Sequence, residues 1–177
     1  MWKRLIPFAH AQSIFEIDVS FYKDLGVKFI LVDLDNTLDS YKTPTPSKRV
    51  IDLKEDLLTE GIELIITSNN TGKRVTKYAR ALGVRFMSKL AKPFSKKLLR
   101  KLKGLKIYRH EVILIGDQIV TDISSANGAG IRSVLTEKLV EEDQPTTRFN
   151  RLFDNPLRRK LNKKHLLKDW REINGTN

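Results

Sequence analysis

Short apolar segments that recur between helical stretches constrain the fold of this chain more than any other feature. Residues 29–32, 63–66 and 112–115 are rich in Ile, Leu and Val, and polar residues follow each run closely. Near-continuous apolar runs of this length are typical of strands that are buried on both faces of a parallel sheet. We predict two further strands at residues 84–87 and 131–135.

Helical patterns occupy the intervals between these predicted strands, at residues 47–60, 72–82, 94–102 and 121–129. Pro46 precedes the first of them and Gly61 follows it, as helix boundaries favour. Alternating strands and helices imply right-handed βαβ crossovers. We therefore predict an α/β fold, a Rossmann-like parallel sheet with helices on both faces.

The charge of the chain is concentrated near its C-terminus. A length of 177 residues fits about one domain. We predict a domain over residues 1–145, with an N-terminal lead-in, and a basic extension over residues 146–177, divided near Gln144 and Pro145. The extension holds nine Lys and Arg residues against three Asp and Glu, which is half of the net charge of +12. Such an excess predicts anionic partners: phosphorylated substrates, an anionic membrane surface or nucleic acid.

Two absences limit the functional classes. The chain has no cysteine, which excludes disulfides, thiolate metal sites, iron–sulfur clusters and a thiol nucleophile. It also has no stretch of the ~20 apolar residues that a membrane-spanning helix needs. The apolar run near the N-terminus is interrupted by Pro7 and is too short for a signal peptide. We therefore expect a cytoplasmic protein, free or peripherally attached to the inner face of the membrane.

Both ends of the chain have more than one interpretation. The N-terminal apolar side chains would suit insertion at a lipid interface or packing on the domain; they are Trp2, Leu5, Ile6 and Phe8. The basic extension would suit binding to anionic lipid, contact with nucleic acid phosphates, or a solvated helix.

Two carboxylates follow the first predicted strand, at the edge where open α/β sheets bind ligands. They are Asp33 and Asp35, and Thr37 comes two residues later. Adjacent carboxylates serve an anionic substrate only if a cation offsets their charge, and oxygen ligands without Cys or clustered His favour Mg²⁺. Because Mg²⁺ also bridges phosphate oxygens, the pattern predicts phosphoryl transfer, with one Asp as a covalent nucleophile.

The ends of the other strands supply complementary groups. Ser68 and Asn69 offer polar side chains and backbone N–H groups that suit a phosphate, and we assign them with Thr37 to substrate binding. Asp117 is a candidate metal ligand, and Asp122 could orient the metal-binding groups without touching the metal itself. Lys92 would offset the charge of the nucleophile and of the phosphate. Taken singly, these residues would also suit turns, helix caps or a solvated surface.

Taken in order, these motifs resemble the four motifs of haloacid-dehalogenase (HAD) superfamily phosphatases. The resemblance implies that Asp33 is the nucleophile and a metal ligand. It implies that Asp35 is the general acid and then base, and that it ligates the metal through its backbone carbonyl. The remaining implied roles are phosphate binding by Ser68, charge neutralisation by Lys92, Mg²⁺ binding by Asp117 and buttressing of the loop by Thr37.

The spacing of the motifs leaves no room for a cap domain, which superfamily members with selective lids insert between them. Only 35 positions separate Asp33 from Ser68, and 24 separate Ser68 from Lys92. A strand and a helix use most of each interval. We therefore predict an open site with a small flap over residues 38–46, which suits a macromolecular substrate or one anchored in a surface.

A closer resemblance covers about residues 13–135 and includes the segments 33–38, 68–70, 91–93 and 116–122. Together these segments resemble the capless, subclass III bacterial family related to mitochondrial phosphatidylglycerophosphate phosphatase. The resemblance implies a lipid-anchored substrate, phosphatidylglycerophosphate, which is dephosphorylated to phosphatidylglycerol. The alternatives are a phosphatase for nucleic-acid ends or for another small molecule, and a non-catalytic binding module. The intact Asp33, Asp35 and Asp117 argue against the last.

Overall fold

Six parallel strands form a single sheet in a computed structural model of the chain. The structure describes residues 2–69, 72–139 and 145–173, so Gln144 at the predicted boundary lies outside the described residues. The sheet order is β1-β6-β5-β2-β3-β4, and each neighbouring pair is parallel. The strands are β1 (Ala9–Ala11), β2 (Phe29–Asp33), β3 (Glu63–Thr67), β4 (Arg85–Met87), β5 (Val112–Gly116) and β6 (Arg132–Thr136). The predicted α/β class and parallel sheet are confirmed.

Helices connect the strands close to the predicted positions. They are α1 (Val19–Asp24), α2 (Lys48–Thr59), α3 (Lys73–Leu82), α4 (Lys96–Gly104), α5 (Ser124–Ala129) and α6 (Pro145–Lys163). A π-helical turn (Ile119–Ile123) precedes α5, where the sequence predicted one continuous helix. Gly83 ends α3 with a φ of 72°, a left-handed conformation that glycine adopts without a steric penalty.

The two faces of the sheet are both covered. Ile30 and Val32 of β2 belong to one apolar cluster, together with Leu57 of α2. Leu31, between them, belongs to the opposite cluster with Leu98 and other residues of α4. Because successive strand side chains point to opposite faces, burial on both faces requires an unbroken apolar run. This explains why the central strands were evident in the sequence.

The N-terminal segment packs on the domain. Strand β1, which the sequence analysis missed, pairs with β6 at the edge of the sheet. Leu5 and Ile6 contact a small apolar cluster around the π-helical turn, and Phe8 contacts the large cluster. Of the two interpretations of this segment, the structure shows packing for Leu5, Ile6 and Phe8, while the side chain of Trp2 lies outside the described ones. Among the described helices, none is both long enough and apolar enough to cross a membrane.

The C-terminal segment packs against the edge of the sheet that the N-terminal segment forms with β1. Leu161 of α6 is fully buried with the cluster around the π-helical turn. The backbone N–H of His10 in β1 donates to the carbonyl of Lys168 at 2.7 Å. Further along, Trp170 packs edge-on against Phe21, with ring centroids 5.7 Å apart. Within the described ranges no cap domain interrupts the chain between the strands, as the motif spacing predicted.

Candidate active site

Three adjacent strands bring the predicted site residues to one edge of the sheet. β2 lies between β5 and β3, and its Asp33 is level with Thr67 at the end of β3. Val32 is level with Ile115, so Gly116 and Asp117 emerge beside Asp33. This is the carboxyl edge of a parallel sheet, where α/β proteins bind ligands.

Lys92 lies at the centre of the site. Its Nζ donates to Asp33 Oδ1 at 2.6 Å and to Asp122 Oδ1 at 2.7 Å, with Thr67 Oγ1 at 3.4 Å. The side chains of Lys92 and Asp122 are each only 2% exposed, whereas Asp33 is 16% exposed. Asp33 is therefore the member of this group that a substrate can reach.

The electrostatics leave the site short of positive charge. Burial, together with the nearby Asp122 and Asp117, raises the pKa of Asp33 to about 8 despite the contact with Lys92. Burial alone would lower the pKa of Lys92, but the carboxylates of Asp122 and Asp33 outweigh it and raise that pKa above its ordinary value. Among the described residues, the Lys92 ammonium group thus pairs with two carboxylates, and a third, Asp117, acts on Asp33 in the same poorly solvated site.

The loop after β5 depends on a close approach at Gly116. A Cβ at this position would lie 2.5 Å from Cγ of Asp122, well inside van der Waals contact. The absence of a side chain lets the Asp122 carboxylate lie against the strand, where it also accepts from the N–H of Gln118 at 3.2 Å. Asp117 is fully buried, and the Thr37 hydroxyl donates to its Oδ1 at 3.4 Å.

The donor set fits a hard divalent cation. Among the described residues, no three His, Asp or Glu side chains cluster to hold a metal by themselves. However, Mg²⁺ typically takes one or two carboxylates in a protein and keeps several waters. Asp33 and Asp117 could supply these carboxylates, and a bound cation would offset the burial and the carboxylate repulsion that together raise the pKa of Asp33.

The predicted phosphate-binding residues line the end of β3. Ser68 is 5% exposed, and its backbone N–H donates to the carbonyl of Met87 at 3.0 Å. The amide of Asn69 is engaged with the backbone of Lys92: its Oδ1 accepts from the N–H at 2.7 Å and its Nδ2 donates to the carbonyl at 3.0 Å. In this structure Asn69 therefore positions Lys92, and the neighbouring Asn70 lies outside the described residues.

Arg74, which the sequence analysis missed, links Asp35 to the flap. One guanidinium nitrogen donates to Asp35 Oδ1, and the other donates to the carbonyls of Ser40 at 2.9 Å and Thr43 at 3.2 Å. The side chains of Arg74 and Asp35 are 27% and 17% exposed. The sequence did hold a signal, because a residue in the first turn of a helix that follows β3 must lie near the carboxyl edge of the sheet.

A second anchor of the flap is Asp39, a buried carboxylate that the sequence analysis also missed. Its Oδ2 accepts from the hydroxyl of Tyr78 in α3 and from the N–H of Ser47 at 3.0 Å. The flap is therefore tied to the single helix α3 by two of its side chains, Tyr78 at Asp39 and Arg74 at Ser40 and Thr43.

Helix α6 supports the loop after β5. The fully buried carboxylate of Asp154 accepts from the N–H groups of Ile119 at 2.8 Å and Val120 at 2.9 Å. Arg158 donates to the carbonyls of Asp117 at 2.6 Å and Thr136 at 2.7 Å. The sequence carried no signal for these contacts, because they exist only once α6 docks on the domain.

Comparison with known proteins places the chain among phosphatases. A family model described as HAD-hydrolase-like matches residues 86–151, which include Lys92 and Asp117. The protein named "Probable phosphatase YqeG" of Bacillus subtilis is 32% identical over 170 residues, covering 96% of this chain and 98% of that relative.

Solved structures share the fold. An uncharacterized protein from Listeria monocytogenes serotype 4b is 18% identical, with a TM-score of 0.52 over 67% of this chain and 85% of that chain. An uncharacterized protein from Corynebacterium glutamicum is 17% identical, with a TM-score of 0.52 over 74% of this chain and 94% of that chain. At such identities the likeness extends to the fold alone.

Proposed function

The chain belongs to the HAD-like phosphatases, and on that premise we propose that it hydrolyses a phosphomonoester through an aspartyl-phosphate on Asp33, with Mg²⁺ as cofactor. The observation that carries this proposal is the contact of Lys92 with Asp33 and Asp122. It leaves one partly exposed carboxylate beside a buried ammonium group, at the sheet edge where ligands bind.

In the first step, a carboxylate oxygen of Asp33 attacks phosphorus and the bond to the ester oxygen breaks. Asp35 protonates that departing oxygen, and it later takes a proton from the water that hydrolyses the aspartyl-phosphate. Lys92 offsets the charge that develops on the phosphoryl oxygens, and Ser68 binds them. Mg²⁺, held by Asp33, Asp117 and the backbone carbonyl of Asp35, would neutralise the phosphate charge.

For the substrate we propose phosphatidylglycerophosphate, which would lose its terminal phosphate at the inner face of the membrane. Support comes from the open site, the motif resemblance and the net charge of +12. A phosphate that stays attached to a membrane can reach a site only if no cap domain closes over it. The uncapped carboxyl edge meets that requirement.

The enzymatic proposal is tested with Asp33→Asn, which keeps the shape of the side chain but removes the nucleophile. We expect hydrolysis of p-nitrophenyl phosphate to fall at least ~10³-fold while the far-UV circular dichroism spectrum is unchanged. Equal activity in the variant would overturn the assignment of Asp33.

The substrate is tested with a panel of phosphatidylglycerophosphate in detergent, a 5′-phosphorylated oligonucleotide and small sugar phosphates. We expect the highest kcat/KM for the lipid. A higher kcat/KM for the oligonucleotide would overturn the lipid substrate and identify the phosphatase as one for nucleic-acid ends.

A further inference from the structure

A strongly basic surface lies along α4, outside the active site. Seven Lys and Arg residues and no acidic residue occur between positions 96 and 109; they are Lys96, Lys97, Arg100, Lys101, Lys103, Lys106 and Arg109. Within the part of the chain that the structure describes, none of the seven forms an ion pair. Like charges that are crowded without counter-charges repel one another, so this surface suits an anionic partner.

Exposed apolar side chains border these charges. Phe94, just before α4, is 72% exposed, while Leu105 and Tyr108, just after it, are 41% and 65% exposed. Large apolar side chains beside Lys and Arg are typical of surfaces that lie at a lipid interface. We call residues 94–109 with these exposed side chains the α4 face.

The α4 face begins at the active site. Phe94 lies two residues after Lys92, whose ammonium group contacts Asp33. Two residues span at most about 7 Å of chain. A membrane that accepted Phe94 would therefore lie next to the open edge at which Asp33 is exposed.

The C-terminal extension is less suited to this role than its charge suggested. Arg158 is directed to backbone carbonyls of the domain, and Leu161 is buried. Asp169 and Glu172 also interrupt its basic residues, and both form ion pairs or turns there rather than adding to the positive surface.

We propose that the α4 face docks the protein on an anionic phospholipid membrane. Phe94 would insert at the interface, and the Lys and Arg side chains of the face would contact the lipid phosphates. This inference rests on the proposed lipid substrate, because docking would hold the active site beside a membrane-anchored phosphate. Charge complementarity fits anionic phospholipid headgroups, and the exposed Phe94 and Leu105, which have no hydrogen-bonding group in their side chains, suit the apolar part of a lipid interface.

The proposal is tested by sedimentation of the full-length protein with vesicles of phosphatidylglycerol and phosphatidylcholine that contain no substrate. The variant K97Q/R100Q/K103Q removes three exposed charges from α4, and R159Q/K163Q/K168Q removes three exposed charges from the C-terminal segment. We expect the first to weaken vesicle binding about 100-fold and the second to weaken it much less. Equal losses, a larger loss in the second variant, or no binding by the wild type would overturn the proposal.

Competition with a 20-nucleotide single-stranded RNA at physiological salt separates lipid from nucleic acid. We expect vesicles to retain the protein. Release from the vesicles by RNA, together with loss of RNA binding in the α4 variant, would reassign the face to nucleic acid.

A second pair of variants links docking to catalysis. We expect Phe94→Ala to lower the hydrolysis of phosphatidylglycerophosphate in vesicles about tenfold and to leave p-nitrophenyl phosphate hydrolysis unchanged. Leu58→Ala, which truncates a side chain of α2 that is 62% exposed, should change neither rate. Equal effects of the two variants would overturn the role of Phe94. Vesicle binding without any lipid hydrolysis would instead overturn the proposed substrate, so the two failures are distinguishable.

Discussion

The loop that follows β2 and the loop that follows β5 both bring carboxylates to the site, but different contacts hold them. The first is tied to α3 through Arg74, and the Arg74 and Asp35 side chains are both partly exposed. The second is tied to α6 through Asp154, which is fully buried, as is Asp117 within the loop. Buried charged hydrogen bonds contribute more to stability than exposed ion pairs. The β5 loop is therefore held by buried contacts, while Asp35 is held by a partly exposed ion pair that costs less to open, and the flap has one buried anchor at Asp39.

The largest effect is expected at Gly116, which connects the β5 loop to the buried carboxylate of Asp122. Gly116→Ala places a Cβ 2.5 Å from Cγ of that residue, so the pair with Lys92 must separate. We expect the free energy of unfolding in urea to fall by about 3–5 kcal/mol, with loss of phosphatase activity. Gly104→Ala is the control, because nothing lies within 4 Å of its added Cβ. A tolerated Gly116→Ala would show that the β5 loop is not rigid.

Metal binding should join the two loops, since Asp33 ends β2 just before the first loop and Asp117 begins the second. Folding raises the pKa of Asp33 from 3.8 to about 8, so the folded state holds this proton more tightly than the unfolded state. The free energy of stabilisation that protonated Asp33 contributes to the metal-free protein is therefore fully present below about pH 4. It is lost as the pH rises to about 8.

Because Mg²⁺ must displace that proton, its affinity should rise about tenfold per pH unit up to about pH 8. Thermal shifts measured with and without Mg²⁺ at pH 6 and pH 8 test this, and the stabilisation should be larger at pH 8. The shift should be absent in Asp117→Asn. An equal shift at both pH values would show that Mg²⁺ does not bind at Asp33.

Removal of the buried anchor on α6 should destabilise the protein. Asp154→Ala leaves the N–H groups of Ile119 and Val120 without their carboxylate, and we expect a loss of about 2 kcal/mol. Asp169→Ala removes a similar cap from the short 3₁₀ turn Trp170–Glu172 near the C-terminus and should cost less than about 1 kcal/mol. Equal losses in chemical denaturation would contradict the role of the buried Asp154 in holding the β5 loop to the core.

The smallest change in stability is expected on the α3 side. Arg74→Met should alter the free energy of unfolding by less than about 1 kcal/mol, yet lower kcat about tenfold or more because Asp35 and the flap lose their common tether. Lys77→Met, on the exposed surface of the same helix, should leave kcat unchanged. A loss of stability as large as that of Asp154→Ala would show that both loops are held alike.

Local patterns predicted much of this molecule. Central strands such as β2 and β5 were evident because burial on both faces demands unbroken apolar runs, and the predicted Asp35 and Asp117 follow those strands closely. Strand β1 was missed because Ala9–Ala11 is short and contains a histidine, so only its pairing with β6 marks it as a strand. The role of Asn69 was also beyond sequence reasoning, because a phosphate-binding amide and one that holds Lys92 have the same local pattern.

The sequence by itself determined the parallel α/β class, the absence of space for a cap between the motifs, and the order in which Asp33, Ser68, Lys92 and Asp117 reach one edge. These follow from hydrophobic periodicity and spacing, which are local properties of the chain. Only the tertiary structure decided that α3 holds the flap and that α6 holds the β5 loop. Those contacts join residues as far apart as Asp117 and Arg158, and no local property of a chain specifies which distant surfaces will meet.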